Sequence, residues 1–143
     1  MASRNQGGAI TGKIALEEHV LLDREDHIDR WRTVVPMIPE QFQQRIIPQL
    51  TDTSRRLELM DQSGIDLAVL SNAGTVQGFL EPQTALRLAQ EANDHFAEVV
   101  RARPDRFAAF ATTPLQHPEE GAKELQRAVE QLGLVGTVPA VAH

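Results

Sequence analysis

The sequence predicts an α/β fold with a parallel sheet, and three observations lead there. Apolar runs of strand length alternate with stretches of helical periodicity along the chain. The runs are nearly continuous in apolar residues rather than alternating, which suits strands covered on both faces. The polar residues with ligand or hydrogen-bonding chemistry fall just after those runs, where parallel α/β folds place their sites.

Composition agrees with a folded chain. At 143 residues, 41% hydrophobic and 24% charged, it fits one domain with a real core. There is no cysteine, so disulfides and thiolate metal sites are excluded. A net charge of −6 and 4% aromatics argue against nucleic acid as a partner. No apolar run is long enough to span a bilayer, and Met1 to Gly8 lacks a signal core. The expectation is a cytoplasmic protein with no membrane partner.

In order, residues 1–11 read as a disordered lead-in. Strand one covers about Lys13 to Glu18. A long irregular connection, 20–53, follows, with a run of charges, the only Trp and Pro36, Pro39 and Pro48; short helical pieces could lie in it, and it reads either as a functional connection or as a variable surface insertion. A helix over Ser54–Ser63 has Thr53 or Asp52 to cap it, Leu57 and Met60 on one face, and Gly64 to stop it. Ile65–Ser71 is the second strand and Asn72–Gly74 a loop. Glu81 and Pro82 open the next helix, whose stripe is Ala85, Leu88, Ala89, Ala92, Phe96, Val99 and Val100. Arg106–Ala111 is the third strand. Pro118 opens a further helix with Glu119 and Glu120 in its first turn and a buried stripe of Ala122, Leu125, Val129 and Leu132. Leu134–Val138 is the fourth strand, and 139–143 is an atypical tail.

The chemistry concentrates at the end of strand one. Alternation along a regular strand puts Glu17 and His19 on one face and Glu18 on the other. A carboxylate and an imidazole two residues apart can share a divalent ion, though a full site takes three or four ligands. Ser71 and Asn72, after the second strand, are the candidates to line a substrate pocket, and Thr112 and Thr113 follow the third. Glu18 is read as structural, paired with an arginine. His27 reads as solvated, His95 as a surface or packing residue, and His117 as part of a helix entry. Trp31 either covers the pocket or anchors the long connection. Arg101, Arg103 and Arg106 read as a solvated helix end and turn.

The stretch Gly12-Lys13-Ile14-Ala15-Leu16-Glu17-Glu18-His19 resembles the opening strand of the amidohydrolase-related, metal-dependent aromatic acid decarboxylases, the 2,3-dihydroxybenzoate and gamma-resorcylate decarboxylases among them. The resemblance continues through Arg56–Ile65, Leu70–Ala73 with Val76 and Gln77, Ala92–Asp94, Arg103–Ala111, and Glu124-Leu125 with Leu132–Gly136. It implies the N-terminal half, about four βα units, of a (β/α)8 TIM-type barrel over 12–138. It also implies a metal held by a first-strand acid-x-His pair, a middle-strand His and a last-strand Asp, the Asp donating the proton that replaces carbon dioxide. Glu17 and His19 match the first pair. The other two ligands, the proton donor included, have no counterpart in this sequence, and His143 is not read as a substitute.

The resemblance thus implies non-oxidative decarboxylation of a hydroxybenzoate-type acid, with zinc expected, manganese or magnesium as alternatives, and no organic cofactor. The partner is a small aromatic carboxylic acid, and a half-barrel is expected to self-associate. A chain without the downstream ligands is expected to be weak or inactive alone. The alternatives are an amidohydrolase-type hydrolase and an inactive truncated product.

Overall fold

A computed structural model describes residues 12–74 and 80–138. The lead-in 1–11, Val76 and Gln77 of the resemblance, the tail 139–143 and His143 lie outside the described residues. The element order is β1 (Lys13–Val20), α1 (Glu25–Val34), α2 (Glu40–Thr51), α3 (Thr53–Ser63), β2 (Ile65–Asn72), α4 (Pro82–Ala102), β3 (Phe107–Ala109) and α5 (Pro118–Glu130). The three strands form one parallel sheet in the order β1-β2-β3. No helix among the described residues is long and apolar enough to cross a membrane.

Helix ends follow the signals in the sequence. The Asp52 side chain accepts a hydrogen bond from Arg55 N and caps α3, and Gly64, at φ 66°, terminates it in the left-handed conformation that glycine adopts most easily. Glu81 caps α4 by accepting from Gln83 N and Thr84 N, each at 3.0 Å, with Pro82 in the first turn.

The connection over 20–53 is more regular than expected. Pro36 lies in the turn after α1, and Pro39 is the N-cap of α2. Pro48 sits in the last turn of α2, where its carbonyl still accepts from Asp52 N. The prolines therefore punctuate two helices instead of preventing them. Trp31 is buried with Leu21 and Ile28 against Ile38, Ile46 and Leu50, so it anchors α1 onto α2.

The main core lies between the sheet and α3, α4 and α5. It joins Ala68 and Leu70 of β2, Phe107 and Ala109 of β3, Met60, Phe96 and Ala128. Phe96 and Phe107 are fully buried, each contributing roughly 2 kcal/mol by apolar burial.

Two expectations need correction. The fourth strand is reduced to a single parallel bridge, Ala111 to Thr137, with Ala111 N donating to the Gly136 carbonyl at 2.7 Å. Gly136, at φ 136°, departs from strand geometry and keeps the pairing short. The buried face of α5 is shifted: Leu125 and Leu132 pack partly buried against the core as expected, but Gly121, Glu124 and Ala128 are the fully buried residues, whereas Ala122 and Val129 are exposed. The reason is polar. Glu124 accepts from buried Asn93 and from Arg127, and that satisfied pairing turns its side of α5 inward.

Candidate metal centre

Register partners in a parallel sheet stand side by side on one face. Ala15 pairs with Ala68, and Glu18 with Leu70. Both partners belong to the core under the helices, so Ala15 and Glu18 face that way. Ile14 and His19 pair with Leu67 and Ser71 and take the opposite face. Val20 pairs with Asn72, back on the helix side.

Between Ala15 and Glu18 the ladder slips. Leu16 and Glu17 together stand opposite Val69 alone, which is a β-bulge. Glu17 takes φ 56°, the one positive φ at a non-glycine among the described residues. A left-handed carboxylate residue costs roughly 1–2 kcal/mol and concentrates at functional sites. Unbroken alternation over Glu17–His19, assumed from the sequence, is therefore corrected: the extra residue re-aims Glu17 relative to its neighbours.

The three ionisable groups of this strand end divide by their commitments. Glu18 accepts from Arg56 Nη1 at 3.0 Å, and Arg56 Nη2 also donates to the His19 carbonyl. Burial lowers the Arg56 pKa, and Glu18 opposes that by holding the guanidinium charged. Glu18 is thus the arginine-paired residue expected. Glu17 and His19 are exposed, and among the described residues their side chains have no hydrogen-bond or ion-pair partner. An open groove of about 400 Å³ between β1, α2 and α3 is lined by Glu17, Glu18, His19, Arg56 and Leu59. The donor set, one carboxylate and one imidazole uncommitted at a strand's C-terminal end, fits half of a divalent-metal site.

At the end of β2, the Ser71 hydroxyl and the Asn72 amide nitrogen are buried without hydrogen-bond partners among the described residues. Asn72 Oδ1 accepts from Gly74 N at 3.0 Å, so this residue also turns the chain. The register brings Ser71 beside His19, while Asn72 lies on the other face.

A second cluster was not anticipated. Asp26, His27 and Glu91 offer ligand atoms within 4.8 Å of one another. His27 is buried, not solvated, and its Nε2 lies 2.8 Å from Glu91 Oε2. The signal was its place one turn before Trp31, on the buried stripe of α1. Arg87 Nη1 reaches Asp26 at 2.9 Å and Glu91 at 3.0 Å, and Arg24 reaches Glu91 at 3.3 Å. Two guanidinium groups occupy the place a cation would need, so this cluster is an ion-pair network joining α1 to α4.

The other nominated residues are structural. Arg106 donates to the Asp66 and Ile65 carbonyls, both at 2.9 Å, and pairs with Asp61, tying down the start of β2. Arg103 pairs with Asp105. His117 is the N-cap residue of α5. Burial lowers the pKa of His95, a packing residue on α4.

A family model described as Amidohydrolase matches residues 27–140. Gamma-resorcylate decarboxylase of Rhizobium radiobacter is 40% identical over 129 residues, covering 89% of this chain and 38% of that protein. The solved structure of a 2,6-dihydroxybenzoate decarboxylase complexed with 2,6-dihydroxybenzoate superposes with a TM-score of 0.78 at 39% identity, covering 88% of this chain and 38% of that one. A dihydroxybenzoic acid decarboxylase from Polaromonas sp. JS666, with bound manganese and the inhibitor 2-nitroresorcinol, gives a TM-score of 0.77 at 38% identity, covering 88% and 37%. The chain therefore spans somewhat over a third of the length of the relatives it matches.

Proposed function

We propose that this chain, which belongs to the amidohydrolase family, carries the first-strand part of a divalent-metal site for decarboxylating a hydroxybenzoate-type acid. The carrying observation is the β1 end: Glu17 in a bulge and His19 beside Ser71, with both ligand groups uncommitted. The fold likeness to a dihydroxybenzoic acid decarboxylase with bound manganese supports the reading.

In this reading His19 supplies a neutral imidazole nitrogen and Glu17 a carboxylate oxygen. When bound, the ion supplies Lewis-acid polarisation and a template for the substrate's carboxylate and ortho-hydroxyl oxygens. Arg56 holds the strand end in place through Glu18 and the His19 carbonyl. Ser71 offers a hydroxyl to a substrate oxygen, and Asn72 shapes the turn behind it. No residue of this chain is assigned the proton donor. A nitrogen and oxygen ligand set can hold manganese or zinc, zinc the more tightly, and the manganese in the solved relative favours the former. Among the described residues β1 is an edge strand with Ile14 and Leu16 exposed, which supports self-association.

The test is manganese uptake together with manganese-dependent binding of 2,6-dihydroxybenzoate, compared between the chain and its His19→Ala variant. Uptake and substrate binding lost together in the variant support the proposal. Uptake that survives the loss of His19 overturns it.

A further inference from the structure

α4 buries an almost wholly apolar face: Ala85, Leu88, Ala89, Ala92, Phe96 and Ala97. Asn93 interrupts it and is fully buried. An amide there is tolerated only if its hydrogen-bonding capacity is used. Its Oδ1 accepts from Thr112 N at 2.7 Å, while its Nδ2 donates to the Thr112 carbonyl at 3.0 Å and to Glu124 Oε1 at 2.8 Å. Asn93 thus satisfies both peptide groups of Thr112, as a neighbouring strand would. It does so just beyond Ala111, which forms an isolated parallel bridge to Thr137.

The rest of the network fixes Asn93 in turn. Glu124 is buried and receives Arg127 Nε and Nη2, each at 2.8 Å, and Arg127 Nη1 reaches Asp94. The segment held this way is itself buried. Thr112 and Thr113 are each 8% exposed, and a side chain at Gly121 of α5 would come within 2.8 Å of the Pro114 carbonyl.

Its location gives the network its meaning. Leu70 pairs with Ala109, and Phe110 N donates to the Leu70 carbonyl at 2.9 Å. Past that bond and the Ala111 bridge the chain enters the non-strand segment Thr112–Pro114, at the same C-terminal edge of the parallel sheet where β2 ends in Ser71 and Asn72. We propose that Asn93 is a positioning residue, setting where Thr112–Pro114 leaves the sheet and so placing the β3 side of the substrate site. The proposal rests on the decarboxylase reading above.

The test uses the full chain loaded with manganese, with 2-nitroresorcinol as the probe, and the variants Asn93→Leu, Asn93→Ser and Glu124→Gln. Leucine fills the space without a polar group, and serine cannot span both peptide groups of Thr112. Glutamine at 124 still accepts from Asn93. Either Asn93 variant is expected to speed hydrogen exchange at the Thr112 amide by about tenfold or more. The same variants should weaken probe binding by about tenfold, the weight of one hydrogen bond, with manganese stoichiometry unchanged. Glu124→Gln should stay within about threefold of the parent. Unchanged probe binding with a loosened Thr112 amide overturns the positioning role alone, as does an amide still protected. Loss of fold in both Asn93 variants makes the residue purely structural and overturns it too. A parent chain that takes up manganese but binds no probe overturns the decarboxylase reading and this inference with it.

Discussion

His19 stands directly across the β1–β2 ladder from Ser71, on the face turned away from the helices. One is a metal-ligand type with no partner among the described residues; the other is a buried hydroxyl with none. Two neighbouring polar groups left unused at strand ends are what a ligand site needs and what a purely structural strand end would avoid. Replacing His19 by Ala should lower manganese affinity by at least about tenfold. Because His19 is exposed, its removal should change unfolding stability by less than about 0.5 kcal/mol. Isothermal titration and urea unfolding of the same preparation check both halves.

Glu17 predicts a conflict between stability and function. Its φ of 56° is strained for a side chain and comfortable for glycine. Glu17→Gly should raise unfolding stability by up to about 1 kcal/mol while weakening the metal site. A β-branched residue such as Val should lower stability by a similar amount. Chemical denaturation of the three forms decides this; a Gly variant less stable than the parent would remove the argument from strain.

Ser71→Ala addresses the second member of the pair. Deleting a buried hydroxyl that lacks a partner should leave stability unchanged or raise it by about 1 kcal/mol. The same change should weaken binding of 2,6-dihydroxybenzoate if that hydroxyl contacts substrate. A clear loss of stability would mean that Ser71 is structural.

The sheet, the caps and the apolar stripes of α3 and α4 were legible in the sequence because each rests on local chemistry: Asp52, Gly64, Glu81 and Pro82 act within one turn. Trp31 could be read as an anchor, and Glu18 as an arginine's partner. The bulge at Glu17 was not legible, since it depends on how β1 is registered against Val69 of another strand. The two polar networks were missed for a related reason. His27 and Asn93 each lie on an apolar stripe, and a polar residue there signals a buried partner, but the partners Glu91 and Glu124 come from other helices. Reading α5 by its apolar residues set Leu125 and Leu132 against the core but missed, for the same cause, that the carboxylate of Glu124 takes the buried side and leaves Ala122 and Val129 exposed.

Arg56 links the helix layer to the candidate ligand. It is partly buried and bonds both Glu18 and the His19 carbonyl. Lysine has one compact charge and cannot reach both groups with a planar fork. Arg56→Lys should cost roughly 1–2 kcal/mol of stability and loosen His19 enough to weaken manganese binding. Glu18→Gln keeps an acceptor for Arg56 and should affect metal binding less. Comparable metal affinities in both variants would show that the Arg56 anchor does not reach the ligand.

The Asp26–His27–Glu91 network makes stability depend on acid pH. For Glu91, burial raises the pKa, but bonds from His27 and Arg87 and the charges of Arg87 and Arg24 outweigh it and hold the carboxyl below its ordinary 4.5. For Asp26, burial likewise raises the pKa, and the Arg87 bond with the charges of His27, Arg24 and Arg87 brings it below 3.8. A carboxyl whose folded pKa is depressed takes up its proton more readily when unfolded. Its contribution is complete above its unfolded value and is lost as pH falls through the folded one. Urea midpoints should therefore hold from neutrality to about pH 4.5 and drop below it as far as these two groups govern them. Glu91→Gln should be less stable at pH 7 and lose less between about pH 5 and about pH 3. If the variant's acid slope matches the parent's, the ion-pair network does not set the acid limit, and other carboxylates do.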